Sequence, residues 1–292
     1  MPANPPIGGT VSLIRSIQPS LVPSERRVAQ ECVEFPEEVS LLSVADLATR
    51  TGISPATVIR TCQNLGFKGF QHLRLLLLRD LGSAANQEPL NVITADSSRG
   101  RLLAIFDATA RDLRGALGAL DYDQFDAAAR AIADARRVFI TANGGSGPSA
   151  QMVALRFLTT GRPCEAPFDA ITQQLTARLL GAKDVCLAVS DSGMNSVTLK
   201  AVEAAHAAGA TIIGVTSYAR SRLSELSNFT LVAGAASRSW GDRAVTGNIT
   251  QILLLSALQD AVSTLNGRGG SPEAAVLEEV FGIVDDSQRG LE

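Results

Sequence analysis

Four short apolar runs in the second half of the chain limit its architecture more than any other feature. They are "RRVFITA", "DVCLAVS", "ATIIGVTS" and "NFTLVAG", beginning at Arg136, Asp184, Ala210 and Asn228. Each is rich in Val, Ile, Leu and Phe, and none alternates apolar with polar residues as a strand with one wet face would. Stretches of helical period, such as "SVTLKAVEAAHAAG" from Ser196, lie between them. Buried strands alternating with helices imply a parallel sheet covered on both faces. Ligands of such sheets bind beyond the carboxyl ends of the strands. Residues 121–285 are therefore expected to form an α/β domain.

Residues 1–82 have no strand-like run and read as an all-α domain. "SERRVAQECVEF" has Ser24 as N-cap, with Val28, Cys32 and Phe35 on one face. "SVADLATRTG" is a short helix capped by Ser43, with Val44, Leu47 and Ala48 inward and Gly52 ending it. Between the two domains, residues 83–120 hold a polar, proline-broken linker and a connecting helix capped by Asp96, Ser97 or Ser98. In that helix Leu103, Phe106, Ala110, Leu113, Leu117 and Leu120 recur at spacings of three and four. The stripe suits a helix lying on its own domain or one pairing with a second subunit. At 292 residues, 46% apolar and 19% charged, the chain has the material for two cores.

Two loops follow strands in the α/β region. "TANGGSGPSAQ" places Asn143, Gly145, Ser146 and Ser149 between a strand and a helix, where glycines admit a ligand to the backbone and the helix offers free N–H groups. Its spacing fits neither a dinucleotide nor a triphosphate loop, and no cofactor is expected. "SDSGMNSVT" places Ser190, Ser192, Gly193 and Asn195 just past a buried strand. Clustered hydroxyls at a helix start can hold a phosphate without a fixed cation.

These segments carry a resemblance. "GSGPS" and "SDSGMNSVTLKAVEAAHAAGATIIGVTS" resemble the glycine-serine loop and the S-x-S-G-x-T signature of a sugar isomerase (SIS) domain. "GISPATVIR" and "LGFKGF" resemble the helix-turn-helix domain of RpiR/MurR-type bacterial transcription regulators. The resemblance implies a double-stranded DNA operator, a small effector of sugar-phosphate type, and self-association as a homodimer or tetramer. Three departures matter. Asn195 replaces the signature threonine. Asp191 puts a carboxylate inside the loop, where it repels a dianion unless turned away or counter-charged. Gly247 and Asn248 replace the family's serine-arginine pair, with Arg243 close by. A neutral or amino-bearing ligand stays open.

"VADLATRTGISPATVIRTCQNLG" fits helix, turn, helix, with Ser54 as N-cap and Pro55 at the first helical position. Val58, Ile59 and Leu65 are expected inward. Ala56, Thr57, Arg60, Thr61 and Asn64, with Ser54, are expected near the major groove, where Arg60 can fork onto guanine and Asn64 onto adenine. Net charge is only -3, yet Arg50, Arg60, Lys68, Arg74 and Arg79 fall in one stretch without an acid. Lys68 and Arg74 are expected on phosphates.

The rival from another class is an SIS-type phosphosugar isomerase with an accessory helical domain. Moving a proton between sugar carbons requires a placed base. The histidines are His72, in the helical region, and His206, mid-helix; Glu165 alone lies near a strand end. A regulator without catalytic residues is the expectation. Cys32, Cys62, Cys164 and Cys186 are scattered and read as packed thiols, and no metal site is expected. "LRLLLLRDL" and "QILLLSALQ" are far shorter than the roughly 20 residues that span a bilayer, and "MPANPPIGGT" lacks a leader's charge and apolar core. No membrane partner and a cytoplasmic location are expected.

Overall fold

The structure, a computed structural model, describes residues 4–84, 97–234 and 240–265, together with Glu279, Val280 and Gly282. The side chains of residues 240–248, Arg243 and Asn248 among them, lie outside the described residues, as do Asp96 and the expected domain end at 285. The chain begins with six helices: α1 (Thr10–Ile17), α2 (Pro23–Glu34), α3 (Pro36–Leu41), α4 (Val44–Thr51), α5 (Pro55–Asn64) and α6 (Phe70–Ala84). Leu13, Ile14, Val28, Leu47, Val58, Leu65, Phe67 and Leu73 meet in one buried cluster between them.

Local chemistry sets the helix ends. Ser43 and Asp46 form a reciprocal capping box on α4, and Gly52 closes that helix at φ 65°. Ser54 Oγ accepts from Thr57 N–H at 3.2 Å to start α5. Two expectations fail here. α2 starts at Pro23 with no side-chain cap, so Ser24 is not its N-cap. Phe35 lies past the helix end and 40% exposed, with the Arg50 guanidinium 4.9 Å above its ring.

α7 (Ser98–Ala116), capped by Ser97 Oγ on Gly100 N–H at 3.0 Å, follows. Its expected apolar stripe does not face a core along its length: Phe106 is 65% and Leu117 51% exposed, while Leu120 is buried. The helix end instead presents small residues inward. Gly118 faces Gly9 just before α1, so closely that a Cβ on either would overlap the other's backbone. Gly234 approaches Ala116 in the same way. The end of α7 therefore meets the helical head at Gly9 and the α/β domain at Gly234, glycines where backbones can touch.

The α/β domain runs α8 (Tyr122–Asp134), β1 (Arg137–Ala142), α9 (Gly147–Leu158), α10 (Ala170–Arg178), β2 (Asp184–Val189), α11 (Ser196–Ala207), β3 (Thr211–Thr216), α12 (Arg222–Leu226), β4 (Phe229–Val232) and α13 (Trp240–Leu265). The sheet order is β1-β2-β3-β4 and every pairing is parallel. Side chains alternate between two cores. Val138, Ile140, Leu187 and Val215 face α8, α9 and α13; Phe139, Cys186, Ala188 and Ile212 face α10, α11 and α12. Burial on both faces explains the continuous apolar runs. Burial, of Cys186 in the sheet and of Cys62 in the helical core, pushes both thiols up to about 12, so these cysteines stay protonated packing groups. No helix among the described residues is long and apolar enough to cross a membrane.

Candidate functional site

The two serine-bearing loops lie side by side because β1 and β2 are adjacent and parallel. Asp191 N–H donates to Ser146 Oγ at 3.2 Å and joins them directly. In the first loop Gly144 turns the chain at φ 63°. Asn143 Nδ2 donates to Gln173 Oε1 (2.9 Å) and Thr198 Oγ1 (3.0 Å). Gln173, fully buried, also accepts from Thr141 Oγ1 and donates to the Ala142 and Pro167 carbonyls. It sets the floor of the first loop and was not foreseen, since nothing near it in sequence carries a motif. Ser149 is fully buried and its hydroxyl has no partner. Gly145 is exposed.

The second loop is tightly held. Ser190 is buried and its carbonyl accepts from Gly193 N–H at 3.0 Å. Gly193 adopts φ 63°, and a Cβ there would overlap the Ser221 hydroxyl. Ser192 is exposed, its Oγ accepting from Met194 N–H at 3.2 Å. Asn195 Oδ1 accepts from Val197 N–H and Thr198 N–H, each at 3.1 Å. The amide thus caps α11 and consumes two helix N–H groups that an anion would otherwise use.

Asp191 is turned away from this loop's hydroxyls. Its Oδ1 accepts from Ser217 Oγ at 2.5 Å and lies 3.5 Å from Gln251 Nε2, while its carbonyl accepts from Thr216 Oγ1 and Ser217 N–H. Gln251 is fully buried and its Oε1 has no partner.

On the helical head, α5 presents Ala56, Ile59, Arg60, Gln63 and Asn64 to solvent, with Ser54 exposed and Thr57 half-buried at its start. Thr61 contradicts its expected place: it is fully buried, and its hydroxyl donates to the Thr57 carbonyl at 2.8 Å. The inward positions are 58, 61, 62 and 65, the helical period of the core face. Ile59, expected inward, is 41% exposed and lines an open groove with Val44, Lys68, Phe70 and His72. Beneath the outer face sits Glu25, 6% exposed. Its Oε1 accepts from Asn64 Nδ2 at 2.7 Å and stands 3.8 Å from Arg60 Nε.

The local excess of cations is smaller in space than along the chain. Arg50 pairs with Glu31 and Glu38, and Arg79 pairs with Asp80 at 2.7 Å. Arg74 is half-buried, its Nη1 3.5 Å from the Leu42 carbonyl and its Nε unpartnered. Lys68 is exposed, and its N–H donates to His72 Nδ1 at 3.1 Å.

A helix-turn-helix head with an open second helix, leading into a parallel sheet with serine- and glycine-rich loops at its carboxyl ends, defines a DNA-reading domain fused to an SIS-type α/β domain. Comparison with known proteins agrees. Residues 8–84 match the helix-turn-helix domain of the rpiR family, and residues 131–259 match the SIS domain. An HTH-type transcriptional regulator of Haemophilus influenzae is 26% identical over 255 residues, covering 86% of this chain and 88% of that protein. One of Caldanaerobacter subterraneus is 27% identical over 248 residues, covering 85% and 88%. The NanR protein of Vibrio vulnificus, solved in complex with ManNAc-6P, shares the fold at a TM-score of 0.56 and 20% identity over 94% of this chain and 98% of that one. The chain thus carries a helix-turn-helix domain of the rpiR family followed by an SIS domain, and its full-length relatives are HTH-type transcriptional regulators.

Proposed function

We propose that this regulator binds a small sugar-type metabolite, most simply a sugar phosphate, between its two serine-bearing loops, and that occupancy changes its grip on an operator. The observation that carries the reading is the Asp191–Ser146 contact. It joins the two loops at the carboxyl ends of β1 and β2, the place where open α/β sheets bind ligands, and supports a crevice there lined by Ser146, Ser190 and Ser192. Asn143, Gly145, Ser149, Gly193 and Asn195 complete the lining. The turning of Asp191 toward Ser217 favours an anion, because the carboxylate is drawn away from the hydroxyls. A sugar phosphate bound by the Vibrio neighbour supports the same class.

On the head, Ser54, Ala56, Thr57, Arg60, Asn64 and Lys68 form the DNA-facing set, with Ile59 and Gln63 added. Arg74 serves as a packing cation. Thr61 has no direct part, being buried.

A regulator without catalysis fits better than an isomerase. Glu165 is paired with Arg137 at 2.6 Å and bridges β1 at Phe139, short of the strand's carboxyl end. His206 is exposed on α11 and His72 lies in the head. Proton transfer between sugar carbons requires a base within reach of the bound carbon.

The test is calorimetry of the full chain with hexose 6-phosphates, amino sugars and neutral sugars. Binding is expected for a phosphate-bearing sugar and lost in Ser190→Ala with Ser192→Ala while the fold persists. Unchanged affinity in the double variant would reject the crevice as the site, and turnover of a bound sugar would restore the isomerase.

A further inference from the structure

The segment leaving β3 touches both functional regions within seven residues. Toward the crevice, Ser217 Oγ donates to Asp191 Oδ1 at 2.5 Å and Ser217 N–H to the Asp191 carbonyl at 2.9 Å. Ser221 packs against Gly193, and Leu223 N–H donates to the Gly193 carbonyl at 3.0 Å. Toward the head, Ala219 N–H donates to the Ser16 carbonyl of α1 at 3.0 Å, and Ala219 packs against the core of the helical head. Arg220 Nη2 donates to the Asn64 carbonyl at 2.9 Å. Asn64 ends α5, and its side chain is held by the same Glu25 that faces Arg60.

We propose that residues 217–221 act as a strap carrying the state of the crevice to the DNA-facing helix, with Arg220 as the positioning residue for α5. The proposal rests on the reading that the crevice takes an effector. Ser217 and Arg220 are three positions apart, a span of at most about 11 Å. Such a short stretch cannot absorb a shift at one end without moving the other.

The chemistry at the crevice end supplies the trigger. A ligand oxygen reaching Ser146 competes for the hydroxyl that now accepts Asp191 N–H, and an anion there also repels the Asp191 carboxylate. Either change alters the Ser217 contact. At the head end the Asn64 carbonyl is one of the last four of α5, which lack partners within the helix. Arg220 supplies one, so its loss frees the helix end that Glu25 shares with Arg60. The glycine contacts at Gly9–Gly118 and Gly234–Ala116 tie the head and the α/β domain each to the end of α7, whereas the strap runs directly from one site to the other.

The experiment uses the full chain, a DNA site selected in vitro with it, and whichever hexose 6-phosphate binds in calorimetry. DNA affinity is measured with and without that sugar for the wild type, Arg220→Ala and Arg220→Lys. Effector coupling typically spans about 5- to 150-fold. The proposal expects Arg220→Ala to bind the sugar as the wild type does while its DNA response shrinks to less than about twofold, and Arg220→Lys to recover part of it. A full response in Arg220→Ala overturns the strap while leaving the effector reading intact.

A ligand-free arm covers the case in which no sugar binds, which would defeat the effector reading alone. Hydrogen exchange at the C-terminal end of α5 is compared in wild type, Ser217→Ala, Arg220→Ala and the double variant. The strap expects Ser217→Ala to quicken exchange there, with no further gain in the double variant over Arg220→Ala. Additive effects, or no effect of Ser217→Ala, overturn it.

Discussion

Arg60 leaves α5 with its side chain 64% exposed and a buried carboxylate 3.8 Å behind it. Glu25 can therefore aim the guanidinium without neutralising it at contact distance. Asn64 stands differently, since reaching a base edge means giving up a 2.7 Å bond to the same carboxylate. Arg60→Ala is expected to cost about 1–3 kcal/mol on the specific site and to relax one base position, whereas Lys68→Ala weakens all DNA alike and lowers the salt slope by about one. Asn64→Ala should cost less than Arg60→Ala. Anisotropy titrations on selected and scrambled duplexes at several salt concentrations check all three, and equal sequence-independent losses would refute the division of roles. Thr61 and Ile59 show where residue type misleads. The Thr61 hydroxyl is satisfied by the carbonyl one turn back, so burying it costs little. Ile59 stays on the outer face because 58, 61, 62 and 65 already fill the inner one. A thymine methyl is the base feature an exposed isoleucine suits.

Elements were legible where local chemistry fixes them. Ser43, Gly52, Ser54 and Pro55 set the ends of α4 and α5, and continuous apolar runs gave the four strands, because both sheet faces are buried. What the sequence hid is long-range. Arg136, just before β1, donates through Nε and Nη2 to Asp184 at 2.9 and 2.8 Å. Asp184 begins β2 fully buried and also accepts from Gly181 N–H at 2.8 Å. The Arg136 hydrogen bonds hold the Asp184 carboxyl below its ordinary 3.8, against the opposing effect of burial. A carboxyl with a depressed folded-state pKa contributes stability that is complete above the unfolded value and is lost as pH falls through the folded one. Unfolding of the wild type should therefore grow easier below about pH 4. Asp184→Asn should be less stable at pH 7 and lose less on acidification. Urea midpoints at pH 7 and pH 3 check this; parallel losses in both proteins would show that Asp184 does not carry the acid sensitivity.

At the scale of the whole molecule, one chain offers one recognition helix, while helix-turn-helix proteins ordinarily read two half-sites about 34 Å apart. A second copy is the expected source of a second head, and the exposed apolar surface is where it would dock. Phe168 just before α10, Ile171 and Leu175 within it and Leu179 just after it follow one another at spacings of three and four, between 59% and 80% exposed. On α7, Leu102, Ile105 and Phe106 are 45–65% exposed. Single exposed apolar residues are ordinary, but two stripes at helical spacing on one chain are not. The connecting-helix stripe left two readings open, a helix lying on its own domain or one pairing with a second subunit; Leu102 and Ile105 lie beside that stripe and, with its Phe106, are the residues a pairing would use. The full chain should accordingly run as a dimer or larger in light scattering at micromolar concentration. Ile171→Glu with Leu175→Glu should shift it toward monomer while leaving the circular dichroism unchanged, since neither side chain enters a core. Such a monomer should bind a single half-site with undiminished affinity and the full operator far more weakly, because the effective concentration of the second head is gone. A double variant that stays oligomeric would move the interface to α7, and a wild type that runs as a monomer at the concentrations where it holds a two-half-site operator would remove the need for a partner copy altogether.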